Sequence, residues 1–477
     1  MRVLHVFFLG IFLLVVTSSS VLAQVIIDVP ANNIFSHTEF LTVKTVMNTQ
    51  GSKNWRAGAI NPSIWALDNE YFSHNTIPNN RLPTSVLQWR LASIGGETPK
   101  FYWLDSWPSF KWFIKSAQTW YHPAIGSTYT PGNVDFTFKM PTEAFSNNSF
   151  VAGNYSLSVS HNYGNNGFYT IEFSPDNLQV IIAVPYVIQW ISNTSTKYID
   201  ITSLNSYRQT GEKMIGELGT SIVGNTIPFN ILAKSAVSNI QFTSSKGMSA
   251  TRPISLIKLS SPNSKIITSA LSSSWTNHSP SNNFKVEIGN RNDFKLQLSI
   301  TEADFKNQFF EAGIYKFQLN LDAKSTDNNI SAIQNTDITL KVPPLSEITI
   351  PTSGNAVNFE FNTFSHYNDG QTKLAPNQIK ISNNETYELY VKTDASHFRR
   401  SGVQSDVPSS ILQVGIDGGS QNVSLSNTSQ KIISNGSPVL DKNLNIKYTI
   451  SPAAAKTLVA KEKSTYSINV IYSFTAL

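Results

Sequence analysis

The chain of 477 residues contains no cysteine. Disulfides, thiolate metal sites and a lipidated N-terminal Cys are therefore excluded, and the chain must rely on apolar cores for stability. Charge is also scarce. Asp, Glu, Lys and Arg make up 14% of the residues, against about 25% in an average soluble protein. The net charge of +5 is dispersed, and Arg399-Arg400 is the densest basic spot. A surface tracking nucleic-acid phosphates needs clustered Lys and Arg, so no nucleic-acid partner is expected. Catalytic signatures are missing as well: there is no H-E-x-x-H, P-loop, G-x-S-x-G or G-x-G-x-x-G. His37, His161 and His366 stand singly among polar residues, and no His pair has metal-ligand spacing. Asp441-Lys442-Asn443-Leu444-Asn445 begins like a calcium loop, but Ile446 replaces the turn glycine and Pro452 the closing Glu. Neither an enzyme nor a cofactor is expected.

Long apolar runs are confined to the start. Arg2, the run Val6–Val16 and Val21-Leu22-Ala23 read as a signal peptide over 1–23, cleaved before Gln24. The run is shorter than the about 20 residues of a membrane span, and none follows. Export to the cell surface or beyond is expected, with no membrane span after signal removal.

What the chain does have is repetition. Phe150-Val151-Ala152-Gly153-Asn154-Tyr155 returns as Phe310-Glu311-Ala312-Gly313-Ile314-Tyr315, and more faintly at Ser464-Thr465-Tyr466. Gln24-Val25-Ile26-Ile27-Asp28-Val29-Pro30 returns as Gln179-Val180-Ile181-Ile182-Ala183-Val184-Pro185, and as Asp337-Ile338-Thr339-Leu340-Lys341-Val342-Pro343. A third landmark links Leu82-Pro83-Thr84-Ser85, Arg252-Pro253-Ile254-Ser255 and Val407-Pro408-Ser409-Ser410. Alternating strands such as Phe136–Met140 and Phe294–Leu298 precede each Tyr.

The same landmarks in the same order divide the chain into 24–178, 179–336 and 337–477. Short β-branched runs separated by Asn, Gly, Ser and Pro clusters predict an all-β protein of three tandem antiparallel β-sandwich domains related by internal repeat. Asn166-Gly167 reads as a type I′ hairpin turn, and Ala453–Val459 as a helical turn or two. Glu143 and Glu302 occupy matching places before the A-G-x-Y strand and read as turn residues rather than an acid/base pair, since glycoside hydrolysis needs both carboxylates at one bond.

The A-G-x-Y turn entering an alternating strand resembles the tyrosine corner of immunoglobulin-like domains. Tyr466–Phe474 resembles the closing strand of pilin-like surface β-sandwiches of bacteria. The resemblance implies an immunoglobulin-like fold and a surface location.

Residues 101–121 are the exception to an otherwise plain polar chain: nine of these 21 are aromatic, and the first domain is about ten residues longer here than the second. Trp103, Trp107, Trp112, Trp120 and Tyr121 are the candidate ligand-binding residues, with a glycan or a surface protein as the partner, because indole faces suit both sugar rings and protein hot spots. A well-filled core is the other reading. Trp exposure separates the two.

The V-I-I-x-V-P strand also has two readings. As the first strand of its own domain it leaves three self-contained sandwiches, which is the arrangement expected. As the last strand of the domain before, it leaves the third domain one strand short and residues 24–30 spare. Edge-strand exchange between copies would then build a fibre.

Overall fold

The computed structural model describes residues 23–51, 63–99, 109–121, 130–162, 171–192, 194–351 and 356–476. The signal segment before Ala23, the turn Asn166-Gly167, Trp103 and Trp107 lie outside them. Nearly all elements are strands, joined by helices of seven residues or fewer. Two of these helices, Thr142–Asn147 and Glu302–Gln308, carry Glu143 and Glu302 in their first turns. Glu302 bonds Lys306 one turn on and the Gly211 N–H, each at 2.7 Å. The helical turn read at Ala453–Val459 is the helix Pro452–Thr457.

Buried side chains gather in three clusters. The first runs from Val25 to Val184, the second from Ile188 to Val342, and the third from Ala375 to Ala455. A five-stranded and a seven-stranded sheet enclose the first, and an equivalent pair encloses the second. The third lies among one sheet of five strands and two of three. The fold is an all-β, immunoglobulin-like arrangement of packed sheets, antiparallel as expected except for one parallel pair at an edge in each of the first two sandwiches.

The repeated Tyr closes a corner in each. Tyr155 accepts from the Val151 N–H at 2.9 Å, while Tyr315 and Tyr466 donate to the carbonyls of Glu311 and Glu462 at 3.0 and 2.9 Å. Every bond spans four residues, which is how a tyrosine corner pins its strand to the turn before it. The strands that follow, here called corner strands, are Gly153–Asn162, Gly313–Ser325 and, in two pieces, Tyr466–Ser467 with Val470–Ala476.

The V-I-I-x-V-P strand belongs to the sandwich before it. Asn177–Val184 runs antiparallel to the first corner strand, and Ser331–Val342 does the same beside the second. Leu178, Val180, Ile182 and Val184 are buried in the first cluster, not the second. The cuts expected at 178/179 and 336/337 therefore fall inside strands, and the chain passes between clusters at 185–187 and 343–345. Pro185 and Pro343 mark these exits, because a ring nitrogen cannot extend the ladder.

The string at 24–30 has a different place from its copies. Ala23–Asp28 pairs in parallel with the first closing strand, so that Gln24 faces Gln179 and Ile27 faces Ile182. Thr196–Asp200 fills this parallel position in the second sandwich. With Val25, Ile27 and Val29 buried, the N-terminal strand is part of a core and is not spare.

Candidate contact face and open strand slot

The aromatic segment divides by strand parity. Lys111–Trp112 pairs with Gln88-Trp89, and successive side chains point to opposite sides of a sheet. Phe113 is buried at 1% exposure, whereas Trp112 is 45% exposed. Trp120, grouped with the contact residues by sequence, points inward and is 2% exposed. Its ring lies 5.4 Å from Phe136, 5.5 Å from His161 and 5.1 Å from Phe173. Trp65 and Trp89, 5.0 Å apart, complete this aromatic core. Burial lowers the His161 pKa to about 4, with Asp176 opposing the shift in part. Tyr121 ends the strand Gln118–Tyr121, opposite Ser63. Of the five candidates, Trp112 is placed on the outer surface and Trp120 in the core.

Around Trp112 the sheet presents an organised outer face. Cross-strand partners share a face, and the register aligns Leu41, Lys139, Gln88 and Trp112 across four strands. The next row aligns Val43, Thr137 and Arg90. Leu41, Val43, Trp112 and the nearby Ile114 are exposed. Phe110 holds the Arg90 guanidinium 4.7 Å and the Lys139 ammonium 5.3 Å from its ring centre. Lys139 also pairs with Glu39 at 2.5 Å. This face combines a free indole, aliphatic side chains, an amide and two cations held over a ring. Sequence reading found Trp112 alone, because the other residues come from strands distant in sequence and meet only through register.

The second feature lies in the third sandwich. Its corner strand pairs on one side with Tyr387–Thr393 and His397–Arg400. Among the described residues, no strand pairs with its other side, where the first two sandwiches carry their closing strands. The consequence is visible in burial. Tyr155, Leu157 and Val159, like Tyr315, Phe317 and Leu319, are buried, while Val470, Tyr472 and Phe474 are only half-buried. Val357, Phe359 and Phe361, which come after Ser346–Thr349 in the chain, alternate with exposed residues and pack against the third cluster. In chain order this stretch corresponds to Thr196–Asp200, the parallel neighbour of the closing strand in the second sandwich. Among the described residues, the corner strand of the third sandwich thus has an unpaired edge where a closing strand would lie. At its floor the Tyr448 and Tyr472 hydroxyls share a 2.7 Å hydrogen bond.

Among the described residues, no three His, Asp or Glu side chains are placed to hold a metal ion, and no helix is long and apolar enough to cross a membrane.

No protein-family model and no curated protein matches the sequence. Similar solved structures include the CsuC–CsuE chaperone–tip adhesion subunit complex of Acinetobacter baumannii Csu pili, at 14% identity and TM-score 0.29, covering 60% of this chain and 99% of that one. The adhesin CfaE of enterotoxigenic Escherichia coli is similar at 11% identity and TM-score 0.27, covering 68% and 98%. The CooA pilin subunit of the same pathogen shows 11% identity and TM-score 0.22, covering 33% and 99%. The likeness is distant, and the fold assignment rests on the ladders, clusters and corners above.

Proposed function

We propose that this is an exported, non-enzymatic surface protein of three tandem domains. In this reading the first domain makes an adhesive contact and the third joins the chain to a larger assembly. The observation that carries it is the open place beside Val470–Ala476. A half-buried apolar floor beside an unpaired strand edge fits one added β-strand, whose main chain supplies hydrogen bonds and whose alternate side chains fill the floor. The occupant is a strand of another chain, patterned like Val180-Ile181-Ile182-Ala183-Val184. The test uses a synthetic peptide of residues 177–185 and a scrambled control. The native sequence should raise the melting temperature of the least stable transition, and Phe474→Ser should abolish the rise. Equal effects of both peptides would discard the slot.

The adhesive contact is assigned to the Leu41–Lys139–Gln88–Trp112 face. Leu41, Val43 and Ile114 around the indole favour a protein partner, while Trp112 with the Gln88 amide suits a sugar ring. A screen of glycans and of candidate surface proteins with native and Trp112→Ala protein separates these partners. Binding lost without loss of folding supports this face, and undiminished binding moves the contact elsewhere.

A fibre built by exchange of residues 24–30 is the less favoured reading. The copy of that strand in the first sandwich is already buried, so donation would have to empty a formed core.

A further inference from the structure

The two passages between sandwiches share one set of hydrogen bonds. At the first, the Ala152 N–H donates to the Thr226 carbonyl at 2.8 Å. The Thr226 hydroxyl donates to the Pro185 carbonyl at 2.6 Å and accepts from the Val187 N–H at 3.0 Å. At the second, the Ala312 N–H donates to the Asn384 carbonyl at 2.9 Å. The Asn384 amide donates to the Pro343 carbonyl at 2.9 Å and accepts from the Leu345 N–H at 2.7 Å. The Ala of the F-x-A-G-x-Y repeat is therefore a docking point for the next sandwich, and the Tyr is the fold corner. Lys463 and Ser464 replace Ala and Gly in the third copy, which keeps the Tyr bond.

Beyond that shared set the joints differ. Asn290, fully buried with φ 55°, grips the first joint like a clamp. Its amide accepts from the Phe150 N–H at 2.8 Å and donates to the carbonyls of Phe150 and Asn225 at 2.7 and 2.8 Å. The Gly289 N–H donates to the Asn148 carbonyl at 3.0 Å, and the His37 ring lies 2.7 Å from the Gly289 carbonyl. Phe35 covers Gly224, where a Cβ would stand 2.6 Å from the ring.

At the second joint Asp441 is also left-handed, at φ 52°. Arg208 of the second sandwich reaches Asp441 at 2.9 Å and Glu347 at 2.7 Å, with Lys380 3.2 Å from Asp441. Beside this cluster a cleft of about 640 Å³ opens between Phe310, Glu311 and Arg252 on one side and Leu440 and Asp441 on the other. The Arg208 hydrogen bond, with help from Lys380 and Ser382, holds the Asp441 carboxyl below its usual range.

We infer that the first joint is locked and the second is a hinge about residues 343–345, latched by Arg208 on Asp441 and Glu347. A buried amide with all its partners inside is insensitive to ions, whereas partly exposed ion pairs are weakened by salt. The cleft leaves room for the two faces to move, with Leu345 and Leu440 as the apolar contacts that slide on the second core.

The absence of native cysteine permits paired spin labels on the full chain. One pair is Glu70→Cys with Lys295→Cys, across the first joint, and the other is Lys295→Cys with Lys373→Cys, across the second. The first pair should give one narrow distance distribution, unchanged by 1 M salt (roughly a 3 Å screening length), by Arg208→Met or by Asp441→Asn. The second pair should be broader and should widen under each of these. Asn290→Ala should widen the first pair alone. Equal widths at both joints, or a second-joint distribution unmoved by salt and by both latch variants, overturns the inference. Asp441→Asn retains the shape of the side chain and decides the matter if Arg208→Met misfolds.

Discussion

Ile27 lies beside Ile182 in neighbouring parallel strands, each the counterpart of the other in the repeated Q-V-I-I string. Sequence similarity here marks two adjacent places in one sheet. If residues 24–30 were spare, removing their apolar side chains would not matter. With Ile27 fully buried, Ile27→Ala should lower stability by about 2–5 kcal/mol. Thermal unfolding should show the loss in the transition of the first sandwich. An unchanged melt would return the strand to the spare role.

Trp112 and Trp120 should behave oppositely. Trp120→Ala opens a cavity among Phe136, His161 and Phe173 and should cost about 3–5 kcal/mol. Trp112→Ala should change stability by less than about 0.5 kcal/mol. Denaturant unfolding of the two variants checks both figures.

The depressed His161 predicts acid sensitivity, with the sign as follows. Its folded pKa of about 4 lies below the ordinary 6.5. The unfolded chain therefore binds the proton first as pH falls, and stability is lost between about 6.5 and 4. The full span corresponds to roughly 3 kcal/mol, less whatever relaxation of the site recovers. Unfolding free energies at pH 7 and pH 4.5 should differ less in His161→Gln than in the native protein. Identical pH dependence would remove His161 as the cause. His278, lowered by burial in the second sandwich, should leave a residual slope.

The two corner glycines separate steric causes. An added Cβ at Gly153 would stand 2.6 Å from the His74 ring, a buried side chain held by the Ala152 carbonyl and the Ile77 N–H, rather than from backbone. At Gly313 it would stand 2.3 Å from the Thr243 backbone carbonyl, inside a paired ladder. Gly313→Ala should therefore destabilise more than Gly153→Ala, and equal melting temperatures would contradict the clash argument.

Much of this is legible in the sequence. Alternation found the strands, the Tyr landmarks found the corners, and Pro185 and Pro343 stand at the exits. The ownership of the V-I-I-x-V-P strand was not legible. A strand that packs one face on a core shows the same alternating β-branched run whichever domain owns that core. The Trp112 face was hidden for a related reason: Leu41, Gln88 and Lys139 become neighbours only through antiparallel register. Trp120 was misplaced because its strand, Gln118–Tyr121, is too short to establish a parity.

The placement of the closing strands also determines how the chain carries tension. Asn177–Val184 leads straight through Pro185 into the second sandwich, and Ser331–Val342 leads through Pro343 into the third. Each tether is hydrogen-bonded along both edges, to a corner strand on one side and a parallel strand on the other. Ladder bonds lie across the strand axis, so a pull along the chain loads them together in shear instead of opening them one at a time. A strand seated beside Val470–Ala476 would be loaded in the same way. A chain anchored through that slot and held by its first sandwich would then have no link that peels.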